Sequence, residues 1–325
     1  VLMLARGVED TLRSTGVREN AIILRKGSTS ELTSFLPREG AKTFAADPAV
    51  AVEGGKPVAS PELFVIFQLQ RAGGGGSADG RTSQAGASSD GNGTANVGFR
   101  GVTQDGWELL RSRSVRLIEG RRPQWGTSEI MLGRACVGRY QGAQVGQAIS
   151  IARRQWQVVG VFDAGGAAFE SEIWADADQI ADAAHRVGYS TMTVRLKSTG
   201  DLDSLRATVD ADPRWNLEAQ REDRFYEEAS GPLANFIRIL GTVIAVFFSF
   251  GATLGAMITM YAQVATRVRE VGTLRALGFR RRAVLGSFLV ESLVLALLGA
   301  AAGCALASLL SVATFTTTNW SSFTE

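Results

Sequence analysis

The sequence predicts an α-helical membrane segment joined to a large, two-lobed domain of mixed α+β type. Three observations carry that expectation. The last quarter of the chain holds two long apolar runs: residues 239–261 are 23 residues without a charge, and 283–315 carry only Glu291. About 20 such residues are enough for a helix to cross a bilayer. Between the runs, residues 263–282 (QVATRVREVGTLRALGFRRR) carry six arginines against one acid, Glu270. Basic residues in short loops stay on the cytoplasmic side, so this loop is expected in the cytoplasm and the polar domain on the opposite face. Residues 7–236, finally, hold no apolar run longer than a strand and mix strand and helix patterns.

Composition excludes several functions. The chain is 325 residues long with a formal net charge of +2, and its arginines form no stripe interleaved with aromatics, so no nucleic-acid partner is expected. Cys136 and Cys304 form no CxxC spacing, and His185, the only histidine, follows a stretch that reads as an exposed helix. No metal site and no catalytic residue is expected. Gly54-Gly55-Lys56 runs into Pro57 and lacks the spacing of a phosphate-binding loop, so this chain is expected to bind no ATP. Residues 1–6 read as the tail of a first membrane helix, and a further helix is expected after Glu325.

In the polar region, Ala21-Ile22-Ile23-Leu24 reads as a strand. Ser28-Thr29-Ser30-Glu31 fits a capping box for a following helix broken near Pro37, and Ala46-Asp47-Pro48 stops it. Residues 63–69 (LFVIFQL) read as a buried strand. A second set follows near the end of the region: strand 190–196, helix 201–210 with an acidic first turn, Ala211-Asp212-Pro213, then a strand from Trp215. The repetition suggests two β-α-β halves, about 20–70 and 188–220, forming one lobe, with 96–187 inserted as a second. Residues 72–98 contain nine glycines and almost no large apolar side chain, so they are read as a flexible loop. In the inserted part, 146–152 and 155–162 alternate about Arg153-Arg154 as a hairpin, and a short helix is expected near Trp107.

A membrane domain, 225–325, is expected to hold spans at about 238–261 and 284–315 and a cytoplasmic loop at 262–283. Val264, Val268, Val271, Leu274 and Leu277 recur at three- and four-residue steps, one apolar face of a short helix that Gly278 would end. Composition leaves two readings open for this loop, a solvated turn that fixes orientation or a docking helix for a partner. Glu291 lies on the order of 12 Å along its span at about 1.5 Å per residue. It could serve a proton path or pair with a loop arginine. Pairing is favoured, because a path would need a second intramembrane acid.

The run Arg267-x-Arg269-Glu270-Val271-Gly272-x-Leu274-Arg275-Ala276-Leu277-Gly278, then basic residues, then Phe288-Leu289-Val290-Glu291-Ser292, resembles the FtsX-like permease family of ABC transporters. Phe99-Arg100-Gly101-Val102, Glu119-Gly120-Arg121 and Val158-Val159-Gly160-Val161-Phe162 resemble that family's large periplasmic domain of the MacB type. The resemblance implies a four-helix permease in the bacterial inner membrane, with the periplasmic domain between its first two helices. It implies a separate ABC ATPase subunit that uses ATP and Mg, and pairing with a second permease, either a copy or a related chain. A periplasmic adaptor and membrane lipid are further implied partners. Residues 267–278 would be the ATPase-coupling helix, and ATP-driven motion would be passed to the periplasmic domain for export or extraction of a substrate. The alternatives are a signalling permease that regulates a periplasmic hydrolase, or a lipoprotein-releasing permease.

Overall fold

The computed structural model describes residues 15–72, 93–111 and 114–311. The chain divides into two compact units, one of which holds 7–232 and the other 233–315.

In the first unit, β1 (Asn20–Arg25) is buried along nearly its whole length. Its alternation serves two cores: Ala21 and Ile23 face one, Ile22 and Leu24 the other. α1 (Arg38–Ala45) follows. Two short strands, β2 (Val52–Glu53) and β3 (Lys56–Pro57), form a small hairpin before the long β4 (Ala59–Gln70). β5 (Thr94–Val102), β6 (Arg116–Gly120), β7 (Glu129–Gly133), β8 (Ala148–Ile151), β9 (Arg154–Asp163) and β10 (Glu172–Asp176) come next. α2 (Ala177–Ala183), β11 (Thr191–Arg195), α3 (Leu202–Asp210) and β12 (Leu217–Arg221) lead into α4 (Glu222–Thr266).

Among the described residues, ten strands form one sheet in the order β12-β1-β11-β4-β5-β10-β7-β9-β6, with β8 hydrogen-bonded to β9. The strands of 20–70 and 188–220 interleave: β1 lies antiparallel between β11 and β12, and β11 pairs antiparallel with β4. This is the strand order of a split β-α-β unit, with β1-α1-β4 and β11-α3-β12 as its halves. α1 and α3 close one face through Phe44, Ala41, Leu205 and Val209. The strands of the inserted stretch extend the same sheet from β4 through β5, so the two expected lobes share one sheet, and two of the three cores draw residues from both. At the β8–β9 connection Ala152 and Arg153 take positive φ, the backbone twist of a tight two-residue hairpin.

Two expectations about the sheet domain are corrected. Residues 28–35 form turns, not a helix capped by Ser28. The helix starts at Arg38, directly after Pro37, whose fixed φ suits a helix start. Glu31 is taken up elsewhere, by Arg100. Thr94–Gly98, read as part of a flexible loop, is strand: its small residues pair with 66–70, and Val97 lies opposite Phe67. The rest of that tract, 73–92, lies outside the described residues. The short helix expected near Trp107 is present, Gln104–Gly106 running into a π-helical turn, Trp107–Arg111, which carries Arg111 into the interior.

In the second unit, α4 continues to Thr266, and α5 (Val268–Ala276) and α6 (Arg281–Ser311) follow. The stretches Arg238–Thr266 and Arg281–Ser308 are long and apolar enough to cross a membrane. The break between α4 and α5 falls at Arg267, so Val264 belongs to α4 and not to the loop helix. The expected terminal membrane helices and the end of the second span lie outside the described residues.

Candidate functional site

The predicted loop residues are gathered on α5 and its two ends. Its start carries no side-chain cap: Arg267 stands at the N-cap, and its guanidinium instead reaches Glu291 of α6 at 3.3 Å. The one acid of the second apolar run is therefore paired with the first arginine of the loop. The end of α5 is fully made. Gly278 has φ +92°, its N–H is donated to the Arg275 carbonyl at 3.1 Å, and the Phe279 N–H is donated to Leu274 at 3.2 Å. That pair of bonds is a Schellman ending, in which the left-handed residue is almost always glycine.

Between these ends, Arg269, Glu270, Gly272, Leu274, Arg275, Ala276 and Leu277 are exposed and Val271 is half-covered. Val268 is 60% and Leu277 76% exposed, apolar surface left open on a helix that is otherwise charged. Charged and apolar groups on one short, well-terminated helix can enter a groove and fix their register by charge. Within the described residues no group of His, Cys, Asp and Glu is placed to hold a metal. Cys136 is buried against the carbonyls of Glu170 and Glu172, and burial pushes its thiol up to about 12.

A second constellation, which the sequence reading missed, lies inside the sheet domain. Arg100, 1% exposed, donates to three carboxylates: Glu31 at 2.7 and 2.9 Å, Glu172 at 2.8 and 2.9 Å, and Glu62 at 2.7 Å. Arg111, equally buried, donates to Glu62 at 2.6 Å, to Glu222 at 3.0 Å and to the Thr193 hydroxyl at 3.0 Å. The Trp174 indole N–H donates to Glu172 at 2.8 Å. Phe64 and Phe169 lie against the Arg100 guanidinium, each with its ring centre 5.0 Å from Cζ. Thr191 and Thr193 of β11 do not face water; their hydroxyls turn into this cluster.

Burial sets the electrostatics. Burial would push the Glu62 carboxyl up, but the charges of Arg111 and Arg100 outweigh it and hold it below the usual range. Glu172 goes the other way: burial raises it and Arg100 only partly opposes this. Burial works against the charge on Arg100, yet Glu172 and Glu31 hold it well above its ordinary value. One signal in the sequence pointed here. Glu62 precedes the apolar run of β4, and Arg100 sits between Phe99 and Gly101 in a strand, where a charge can be buried only if it is paired.

Two family models match the chain. The MacB-like periplasmic core domain covers residues 2–212 and the FtsX-like permease C-terminal domain covers 242–324. The chain belongs to the FtsX-like permease family of ABC transporters, MacB type. Among its relatives, the pyoverdine export ATP-binding/permease protein PvdT of Pseudomonas fluorescens is 29% identical over 184 residues, covering 51% of this chain and 27% of that one. The macrolide export ATP-binding/permease protein MacB of Hyphomonas neptunium is 31% identical over 180 residues, covering 50% and 27%. The matched stretch thus spans about a quarter of those relatives' length. The periplasmic region of MacB from Actinobacillus actinomycetemcomitans aligns with a TM-score of 0.43 at 13% identity, over 67% of this chain and 94% of that one. The chain is therefore a permease component with a MacB-like domain of mixed α/β sheet and two candidate membrane helices.

Proposed function

We propose that this permease couples ATP hydrolysis, carried out by an ATPase outside these 325 residues, to motion of its sheet domain, and so drives export or extraction of a substrate. The observation that carries this reading is α5: an exposed, charged and apolar helix, closed at Gly278, held between two helices apolar enough to span a membrane. Arg269, Glu270 and Arg275 would set its register in the ATPase, and Val268, Val271, Leu274 and Leu277 would supply buried contact. Gly272, with open space where a Cβ would stand, would let the partner approach the helix backbone. ATP and Mg belong to that partner. The inner membrane is its site, with α5 in the cytoplasm, the sheet domain in the periplasm and lipid against the exposed faces of α4 and α6. A second permease copy or related chain completes the assembly, and a periplasmic adaptor fits the same scheme. The relatives are named as ATP-binding/permease proteins for macrolide or pyoverdine export, which supports an export role here.

The test is to co-purify the chain with its ATPase and measure hydrolysis in Glu270→Lys and Arg275→Glu variants. The reading expects both to insert normally and to lose coupled hydrolysis. Unchanged coupling in both would defeat it.

A further inference from the structure

The residue that opens α4 does more than begin a helix. Glu222, fully buried, uses both carboxylate oxygens. Oε1 accepts from Arg111 at 3.0 Å, while Oε2 accepts from the Asn20 side chain at 2.7 Å and from the Val17 backbone N–H at 3.1 Å. Val17 belongs to the segment that leads into β1, and that segment lies directly on the first turn of α4. A Cβ on Gly16 would stand 2.5 Å from the Asp223 Cα, so only glycine allows the approach. Arg18 adds a 3.7 Å contact to Asp223. Through Arg111 the same carboxylate continues to Glu62 on β4, and from there to Arg100, Glu31 and Glu172.

We propose that Glu222 is the fastening point that joins the chain's entry into this domain, its exit along α4, and the central sheet into one mechanical unit. The geometry stands by itself; its consequence for transport rests on the permease reading above. α4 carries the chain on to the first apolar span, so a displacement of that helix reaches the sheet only if its first turn is held. A rigid core is well suited to pass displacement on, because packed interiors have low compressibility. The carboxylates of the cluster outnumber its guanidiniums by two. The Glu222→Gln change therefore relieves buried negative charge while it weakens three hydrogen bonds, and it separates fastening from overall stability.

Hydrogen–deuterium exchange on the full chain in lipid nanodiscs tests the proposal, with Glu222→Gln and, as a variant that leaves every charge in place, Gly16→Ala. Both are expected to speed exchange at least tenfold at 15–25 and 222–226 while β7 and β9 keep their protection. No change at these segments, or equal acceleration across the whole sheet, would overturn it. A second arm adds the co-purified ATPase with ATP and vanadate. In the wild type, trapping is expected to alter exchange in β11 and β12; in Glu222→Gln, hydrolysis is expected to persist while that alteration disappears. A Glu222→Gln variant that still passes the alteration to the sheet would also overturn the proposal. A wild-type complex without ATP hydrolysis would instead count against the permease reading, and the exchange result of the first arm would still decide the fastening.

Discussion

Replacing Arg100 by methionine tests the physical picture of the sheet domain. The substitution keeps much of the side chain's length and removes five hydrogen bonds to three buried carboxylates. Glu62 keeps Arg111, but Glu31 and Glu172, both buried, lose their ion-pair partner. Removing one side of a buried ion pair costs about 3–5 kcal/mol, because the charge left behind is uncompensated. Set against a whole-domain stability of roughly 5–15 kcal/mol, that is a large share. For a domain of this size each kcal/mol moves the thermal midpoint by about 2–4 °C, so a fall of about 6–20 °C is expected. The assay is thermal unfolding of the full chain in detergent, followed by tryptophan fluorescence, since Trp174 donates directly into the cluster. Arg100→Lys should fall between the two, because an ammonium cannot reproduce the forked contacts to Glu31 and Glu172. An Arg100→Met midpoint within two degrees of wild type would refute the reasoning.

Further outcomes follow from the same structure. Glu172 has a raised pKa in the folded domain, so its contribution is fully present below the ordinary glutamate value of about 4.3 and is lost as pH rises through the raised one. Glu172→Gln should therefore flatten the loss of stability on the alkaline side, as read by midpoints between pH 4 and 8. Asp163 has the opposite sign. The Gly165 backbone N–H, which donates to it at 2.8 Å, and the nearby Arg134 and Arg116 guanidiniums hold it down at about 2. Its contribution is present above the unfolded value near 3.9 and is lost as pH falls through 2, so Asp163→Asn should be less sensitive to that acid step. Cys136 should resist a thiol reagent at pH 8 in the native chain and react once the domain is unfolded. Gly278→Ala should strain the φ +92° ending of α5 by about 1–2 kcal/mol and impair coupled ATP hydrolysis. For orientation, Ser88→Cys should react with an impermeant reagent from outside and Thr273→Cys should not; the reverse pattern would invert the topology.

Much of this was legible because local chemistry and tertiary structure agree. The uncharged stretch 239–261 needs only length and composition to be read, and α5 needs only its apolar spacing and the glycine that ends it. The strand, helix and strand of each half could be read in the repeated Ala-Asp-Pro order, but that their strands interleave in one sheet could not. Beyond the strand-borne charges Glu62 and Arg100, the buried cluster was not legible, since its members are drawn together from positions as far apart as Asn20 and Glu222, a separation of 202 residues. No periodicity links them. Glu31 was misread for the same reason: four residues of sequence suggest a capping box, while the Arg100 guanidinium that claims the carboxylate is invisible locally. Thr191 and Thr193 likewise have the look of solvent-facing strand positions, yet they are fully buried and turn their hydroxyls inward.

α5 is the place proposed for an ATPase to meet this chain. A photo-activatable crosslinker attached at Leu277→Cys, the C-cap of α5 and more exposed than the large apolar residues Val268 and Leu274 of that helix, tests it in the co-purified complex. A covalent adduct with the ATPase is expected at Leu277→Cys and none from a control cysteine at Ser204 in the sheet domain. Labelled Leu277→Cys that yields no ATPase adduct, in a complex that still hydrolyses ATP, would contradict it.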